Sequence, residues 1–528
     1  MLIAPMLTAT GVTVSELRER GRRVVRRAGK QILLIASGER LFAVANRCPH
    51  EGYPLSEGTL GDGCVLTCNW HNWKFDLESG AALVGRDPVR TYRIELQENE
   101  IFVDLAEPPA DVRKARALEG LDKALADVDM PRMAREVARL QRAGIEPQTA
   151  LVHAFTSRGG HLEAGMTHAH AAAADWLALA ARAPDEDKRL AALLEPLAHI
   201  AWDTEGAGEF PYSQAVLAWD AGAFLAAMEA EDEAKAIGHM RGAIADGVPY
   251  AALRPVIAEA ALAHYADFGH SAIYTLKAGQ LIERLGPEAK EPVLLALVRQ
   301  QIMATREERL PEFRFFDKAV AAWDGKGAEP ARAQDFIGLT IDGALKRMLA
   351  SSGRPPTELF EALLGAAAWN LLHFDLGFDR ATSNAIADNV SWLDFTHALT
   401  FANAAHVLCE ERPGLWPRAL LQMALFVGRN RGYVDADQDV SCWRVDDPHA
   451  FIVREMAGLY DHGVVEPIIA CHRLKMLFAL EAELAAAPGA PWAATMCAAM
   501  NRWLNSPQKR HHGLRIATQA RDFIAREA

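Results

Sequence analysis

Between residues 24 and 105 the apolar positions fall in short runs, QILLIAS, RLFAVAN, CVLTC and IFVDL, bounded by Gly and Asn turn signals. Runs of this length, rich in branched residues and punctuated by turn formers, predict β-strands. At AEPPADVRKAR the pattern changes: Pro108 and Pro109 close the last strand, and Ala- and Leu-rich segments with helical periodicity fill the rest of the chain. The chain is therefore read as multidomain, with a small all-β domain over residues 1–107 followed by a large all-α domain over 108–528.

The helical part carries a repeat. GVPYAAL at Gly247 returns as GRPPTEL at Gly353 and, one residue longer, as GIEPQTAL at Gly144. Each places a proline in the first turn of a helix, where its missing N–H costs nothing. A second helix follows with a histidine near its start: His168, His270 and His397, with His472 as a fourth candidate. Sixteen or seventeen residues after each histidine a proline, Pro184, Pro287, Pro413 or Pro488, opens another helix. The pattern implies an array of helical units whose histidine-bearing helices face a common centre.

At 528 residues the chain exceeds one small module, so at least two domains are required. Seven scattered cysteines form no disulfide framework, which fits a reducing cytoplasm. The first residues lack a charged leader, and no twenty-residue apolar stretch occurs. A net charge of -13 without a basic stripe argues against nucleic acid. A soluble cytoplasmic protein with no membrane and no nucleic-acid partner is expected.

Residues 48–76 hold the clearest chemistry: Cys48-x-His50, then seventeen residues, then Cys68-x-x-His71. Two such pairs on separate loops can close around metal. Zinc would take all four around one tetrahedral ion, usually with wider spacing inside each pair. A two-iron cluster divides them, thiolates on one iron and imidazoles on the other, and mixed pairs fit that division better. The surrounding residues, CPHEGYPL and CNWHNWKFDLESG, closely resemble the two cluster loops of the Rieske [2Fe-2S] family, over roughly residues 12–106. The resemblance implies a Rieske cluster with Cys48 and Cys68 on the inner iron and His50 and His71 on the outer one. The extra cysteine pair of the respiratory branch is missing, so the likeness is to the soluble ferredoxin and ring-hydroxylating-oxygenase branch. Cys64 reads as a small buried residue.

In the helical domain the string Asp-Phe-x-His occurs twice, as Asp267 to His270 and Asp394 to His397. Residues three apart share a helical face. Such pairs from two facing helices would present ligands for a mononuclear or dinuclear non-haem iron, much as paired helices do in di-iron bundles. His168 and His472 lack the preceding acid and rank behind them as ligands; His264, His373 with Asp375, and Glu195 with His199 are spares. Singly, such residues are more often caps or core than ligands. WLDFTHALTFANAAHVL resembles segments of the questin oxidase-like family, which implies oxidative chemistry. Two functions follow. In one, an oxygenase or oxidase uses the cluster to feed a second metal and oxidises an apolar or aromatic small molecule. In the other, a redox or sensor protein holds no second metal and its repeats dock a protein partner. No Gly-x-Gly-x-x-Gly unit occurs, so an external reductase or ferredoxin is expected as electron donor.

Overall fold

The computed structural model describes residues 6–381, 390–506 and 513–526. The chain divides into two units, Met1–Gly120 and Leu121–Ala528.

The first unit is built on ten strands in three antiparallel sheets: β1 (Leu7–Thr13), β2 (Arg22–Arg27), β3 (Lys30–Ser37), β4 (Arg40–Ala45), β5 (Thr59–Gly61), β6 (Val65–Thr67), β7 (Lys74–Asp76), β8 (Ala82–Val84), β9 (Ile94–Gln97) and β10 (Glu100–Asp104). Their orders are β1-β10-β9, β2-β3-β4 and β5-β6-β7-β8. The middle sheet explains the unbroken apolar run of β3, because both of its faces are buried. Leu33, Ile35, Phe42 and Val44 point into one core with Cys48, Leu55, Leu66, Cys68 and Phe75. Ile32, Leu34 and Ala43 point into the other with Val12, Leu17, Ile101 and Val103. The period of two along a strand distributes them. The first core is the one that supports the cysteine loops, which leave β4 and β6.

After β10 the chain turns helical at Ala110, and helices dominate the rest. Four of them, His168–Ala181, His270–Leu285, Trp392–Glu411 and Pro467–Ala486, close a ring in which each packs on the next and the last on the first. Outer helices back this ring: Glu186–Asp203 on the first, Tyr250–Ala263 and Lys290–Met303 on the second, Pro356–Leu372 and Trp416–Asn430 on the third, Pro448–Gly458 and Ala493–Asn505 on the fourth. The prolines behave as helix openers. Pro356 is the first residue of its helix, Pro249 is an N-cap, and Pro287 and Pro413 begin short 3-10 turns that lead into outer helices. No helix among the described residues is long and apolar enough to cross a membrane.

The inner helices are buried nearly all round, which is why their apolar periodicity is weak. The run of alanines after His170 lets neighbours approach the helix His168–Ala181 closely, and Ala169 and Ala171 to Ala174 are all buried. Two side-chain pairs fix the direction of its neighbour: His168 meets His270, and seven residues on Asp175 meets Lys277. Equal steps along both helices mean that they run parallel, with their N-terminal ends at the histidines.

Candidate functional site

The two cysteine loops have the same main-chain wiring. The Cys48 N–H donates to Tyr53 O and the Cys68 N–H to Trp73 O, both at 2.8 Å. The Gly52 N–H returns to Cys48 O and the Asn72 N–H to Cys68 O. Gly52 and Asn72 each close their turn in the left-handed region, at φ of 78° and 60°, which Gly and Asn tolerate best. This wiring buries Cys48 and Cys68 and leaves His50 half-buried and His71 exposed. The two histidine Nδ1 atoms lie 3.1 Å apart. Trp73 stacks on His50 at 4.7 Å and holds its ring. Burial pushes the Cys48 thiol up to about 11, with Cys68 beside it adding to the shift. Two buried sulfurs beneath two converging imidazole nitrogens are the donor set that a Rieske cluster needs, and the residues fit it. Cys64, buried in the same core, faces Ser37 at 3.9 Å.

In the helical unit the four helix-initial histidines converge. His168 Nε2 lies 3.1 Å from His270 Nε2, and His397 Nε2 lies 3.1 Å from His472 Nε2. Neighbouring ring centroids around the square are 4.7, 4.5, 4.9 and 4.8 Å apart. Ligand atoms of His168, His270 and His397 all fall within 4.8 Å of one another. Hydrogen bonds at the far side of each ring set the tautomers. His270 Nδ1 donates to Asp267 O at 2.5 Å, and His472 Nδ1 donates to Ile468 O at 2.7 Å. His397 bonds the main chain of Leu393. His168 Nδ1 shares a 3.1 Å hydrogen bond with the Tyr274 hydroxyl. With their other nitrogens donating to carbonyls, His397 and His472 turn Nε2 lone pairs toward each other. Burial holds His168, His397 and His472 well below the usual imidazole range, so these rings are neutral at pH 7.

The repeated Asp-Phe-x-His string adopts two conformations. Asp394 and His397 sit inside one helix, but Asp267, Phe268 and Gly269 form a left-handed turn before the next, with φ of 48°, 48° and 79°. Asp267 and His270 therefore do not share a helical face. At Gly269 a Cβ would lie 2.6 Å from the Phe401 ring, so a glycine is required. The carboxylates have other partners: Asp267 takes the Gln300 amide at 3.2 Å and approaches His270 Nδ1 at 3.5 Å, while Asp394 accepts the Ser391 N–H and pairs with Arg429. Of the spare residues, His264 bridges Glu308 and Glu229, His373 bonds Trp369 O, Glu195 pairs with His462 and His199 with Asp203.

One residue at the square went unnoticed in the sequence. Lys475, three residues after His472, is 1% exposed, and its Nζ has no hydrogen-bond partner among the described residues. A lysine inside the apolar run IACHRLKMLF was the available signal. A cavity of about 200 Å³ reaches Ser271, beside His270. A larger one of about 650 Å³ is lined by Phe315, Phe378, Arg429 and Tyr433.

Three small antiparallel sheets carrying paired Cys/His loops define an iron-sulfur electron-transfer module. Residues 10–93 match the Rieske [2Fe-2S] domain, and through them the chain belongs to that family. It is 35% identical over 97 residues to the 3-phenylpropionate/cinnamic acid dioxygenase ferredoxin subunit of Photorhabdus laumondii, covering 18% of this chain and 91% of that subunit. Among solved structures, the ferredoxin of carbazole 1,9a-dioxygenase from Nocardioides aromaticivorans is 24% identical, over 19% of this chain and 96% of that one, with a TM-score of 0.18. NdmA of Pseudomonas putida with caffeine is also 24% identical, over 19% of this chain, with a TM-score of 0.18; the chain spans 33% of its length.

Proposed function

We propose that the chain is an oxidoreductase in which a Rieske cluster on Cys48, Cys68, His50 and His71 serves a non-haem iron held by His168, His270, His397 and His472. The reaction it supports is the dioxygen-dependent oxidation of an apolar or aromatic small molecule, with electrons from an external reductase or ferredoxin. One observation carries the reading: the Nε2 lone pairs of His397 and His472 face each other at 3.1 Å in a buried site. Opposed lone pairs repel unless a cation lies between them. Imidazole donors suit iron, copper and zinc. A redox partner in the same polypeptide favours iron over redox-inert zinc, and the likeness to ferredoxin subunits of dioxygenases points the same way.

The chain's own residues do the positioning. Carbonyls of Asp267 and Ile468 hold His270 and His472 in the ligating tautomer, and Tyr274 does the same for His168. Asp394 serves by capping the helix that carries His397, rather than as a ligand. Burial of three of the four rings keeps bulk water from the centre. When bound, the iron would supply one-electron chemistry and dioxygen activation.

The test is elemental. Iron and acid-labile sulfide are measured on the purified chain, followed by oxygen uptake with a chemical reductant and aromatic acids. More than two irons for two sulfides supports the reading. Two irons and no further metal leave an electron-transfer or sensor protein.

A further inference from the structure

The four-histidine square collects positive charge without a balancing ligand. Its donors are uncharged imidazoles, and the carboxylates of Asp267 and Asp394 have other partners. His168 and His270 are the first residues of parallel helices, whose N-terminal ends are the positive ends of the helix dipoles. Lys475 adds an ammonium. It lies about one turn beyond His472 on the same helical face, and its charge is felt at His168, His397 and His472. Asp175 does not satisfy it: Asp175 Oδ1 binds Lys277 at 2.6 Å, while Asp175 Oδ2 and Lys475 Nζ are both without a hydrogen-bond partner among the described residues. A buried polar group left in this way calls for a ligand that the chain does not supply.

We infer that the square binds its metal together with an oxygen anion, and that Lys475 holds that anion. The class is a hydroxide-sized oxygen anion or the ionised oxygen of a phenolic or enolic substrate. This rests on the reading that the four histidines hold a metal. The anion neutralises the metal and the ammonium at once, and no carboxylate ligand is then needed. A neutral, uncharged ligand would leave both charges unbalanced in a buried site, which is the costly arrangement.

Full-length protein is loaded with Co(II), whose visible spectrum reads its ligands, and titrated with azide and with 4-nitrocatecholate. Cobalt per chain is measured in every sample. Azide should bind the wild type and bind at least tenfold more weakly to Lys475→Met and Lys475→Gln, with unchanged cobalt content; Lys475→Arg should recover part of the loss. Azide binding alone assigns a small anion, and binding of both probes extends the class to an organic oxygen anion. Equal azide affinity in wild type and Lys475→Met, each holding cobalt, overturns the role of Lys475 and leaves the metal site standing. Failure of the wild type to bind cobalt overturns the metal reading and this inference with it.

Discussion

Lys277 Nζ lies 2.6 Å from Asp175 Oδ1 in the buried core of the helical unit, seven residues beyond His270 and His168 on their helices. Both side chains are more than nine-tenths buried, so the pair exchanges two desolvation costs for one strong contact. Removing only the carboxylate strands the ammonium. Asp175→Leu should lower stability by about 3–5 kcal/mol, whereas Asp175→Leu with Lys277→Met should come close to the wild type. Urea unfolding of the two variants side by side checks this. A double variant no more stable than the single one would contradict it.

The cysteine loops make a separate prediction. Hydroxyl oxygen binds iron far more weakly than thiolate, so Cys48→Ser should lose the visible absorption and the Rieske resonance of the reduced protein. His71→Cys keeps a four-ligand site but adds negative charge. Its cluster should survive with a potential lower by roughly a few hundred mV, toward the all-thiolate range. Redox titration followed by electron paramagnetic resonance reads both.

Glu307 gives the stability curve a pH dependence. Burial raises its carboxyl to about 8 against the ordinary 4.5, while its Oε2 accepts the Phe268 N–H at 3.1 Å. Below pH 4.5 the folded and unfolded states are both protonated, and no penalty exists. Between 4.5 and 8 the unfolded chain ionises and the folded one does not, so stability falls as pH rises, by about 1.4 kcal/mol per unit at most. Above 8 the penalty is constant. Glu307→Gln keeps an acceptor for Phe268 and removes the ionisation. It should flatten the slope between pH 5 and 8 and stabilise the protein at pH 8 by a few kcal/mol. Denaturant titrations at several pH values measure it, and an unchanged slope would sink the assignment.

The cysteine loops were legible because their ligands lie close in sequence and each loop is wired by local hydrogen bonds. Cys48 to Tyr53 and Cys68 to Trp73 are contacts over five residues. The strand β1 and the short helix Val14–Arg20 escaped the periodicity reading, which began at residue 24. Thr13, whose side chain accepts the Glu16 N–H, was the local sign of that helix. In the helical unit the histidines were visible as a recurring feature, but their arrangement was not. His168 meets His270 across 102 residues and His397 meets His472 across 75, distances that pattern reading does not bridge. The Asp-Phe-x-His repeat misdirected attention to carboxylates, because one copy is a left-handed turn and the other a helix. Only Gly269 in place of Thr396 distinguished them, and glycine at φ 79° is the reason for the difference. Lys475 was hidden by the ordinary expectation that a lysine in a helix faces water.

The second metal can be separated from the first within the intact chain. Replacing both Cys48 and Cys68 by Ser removes the two thiolates on which the cluster depends, and leaves the helical unit unaltered in sequence. This variant should retain about one metal ion per chain, because the four histidines are held by their own helices and by the carbonyls of Asp267 and Ile468. Adding His397→Ala and His472→Ala should abolish that binding, since it removes one facing pair completely. Tyr274→Phe should act more gently. It deletes the hydroxyl that orients His168 and should weaken metal affinity by about 10–100-fold without changing the donor count. Metal binding also couples to folding. At one hundred times its dissociation constant, the ion should stabilise the cluster-free protein by about 2.7 kcal/mol, and the same addition should leave the histidine-deleted variant unmoved. Thermal melts with and without added iron, alongside elemental analysis, give both readouts. Helical circular dichroism should persist throughout, because the replaced histidines lie at one end of long helices packed along the rest of their length. A cluster-free chain that folds, binds no metal and gains no stability from iron would remove the oxygenase reading and leave the Rieske module as the chain's redox centre.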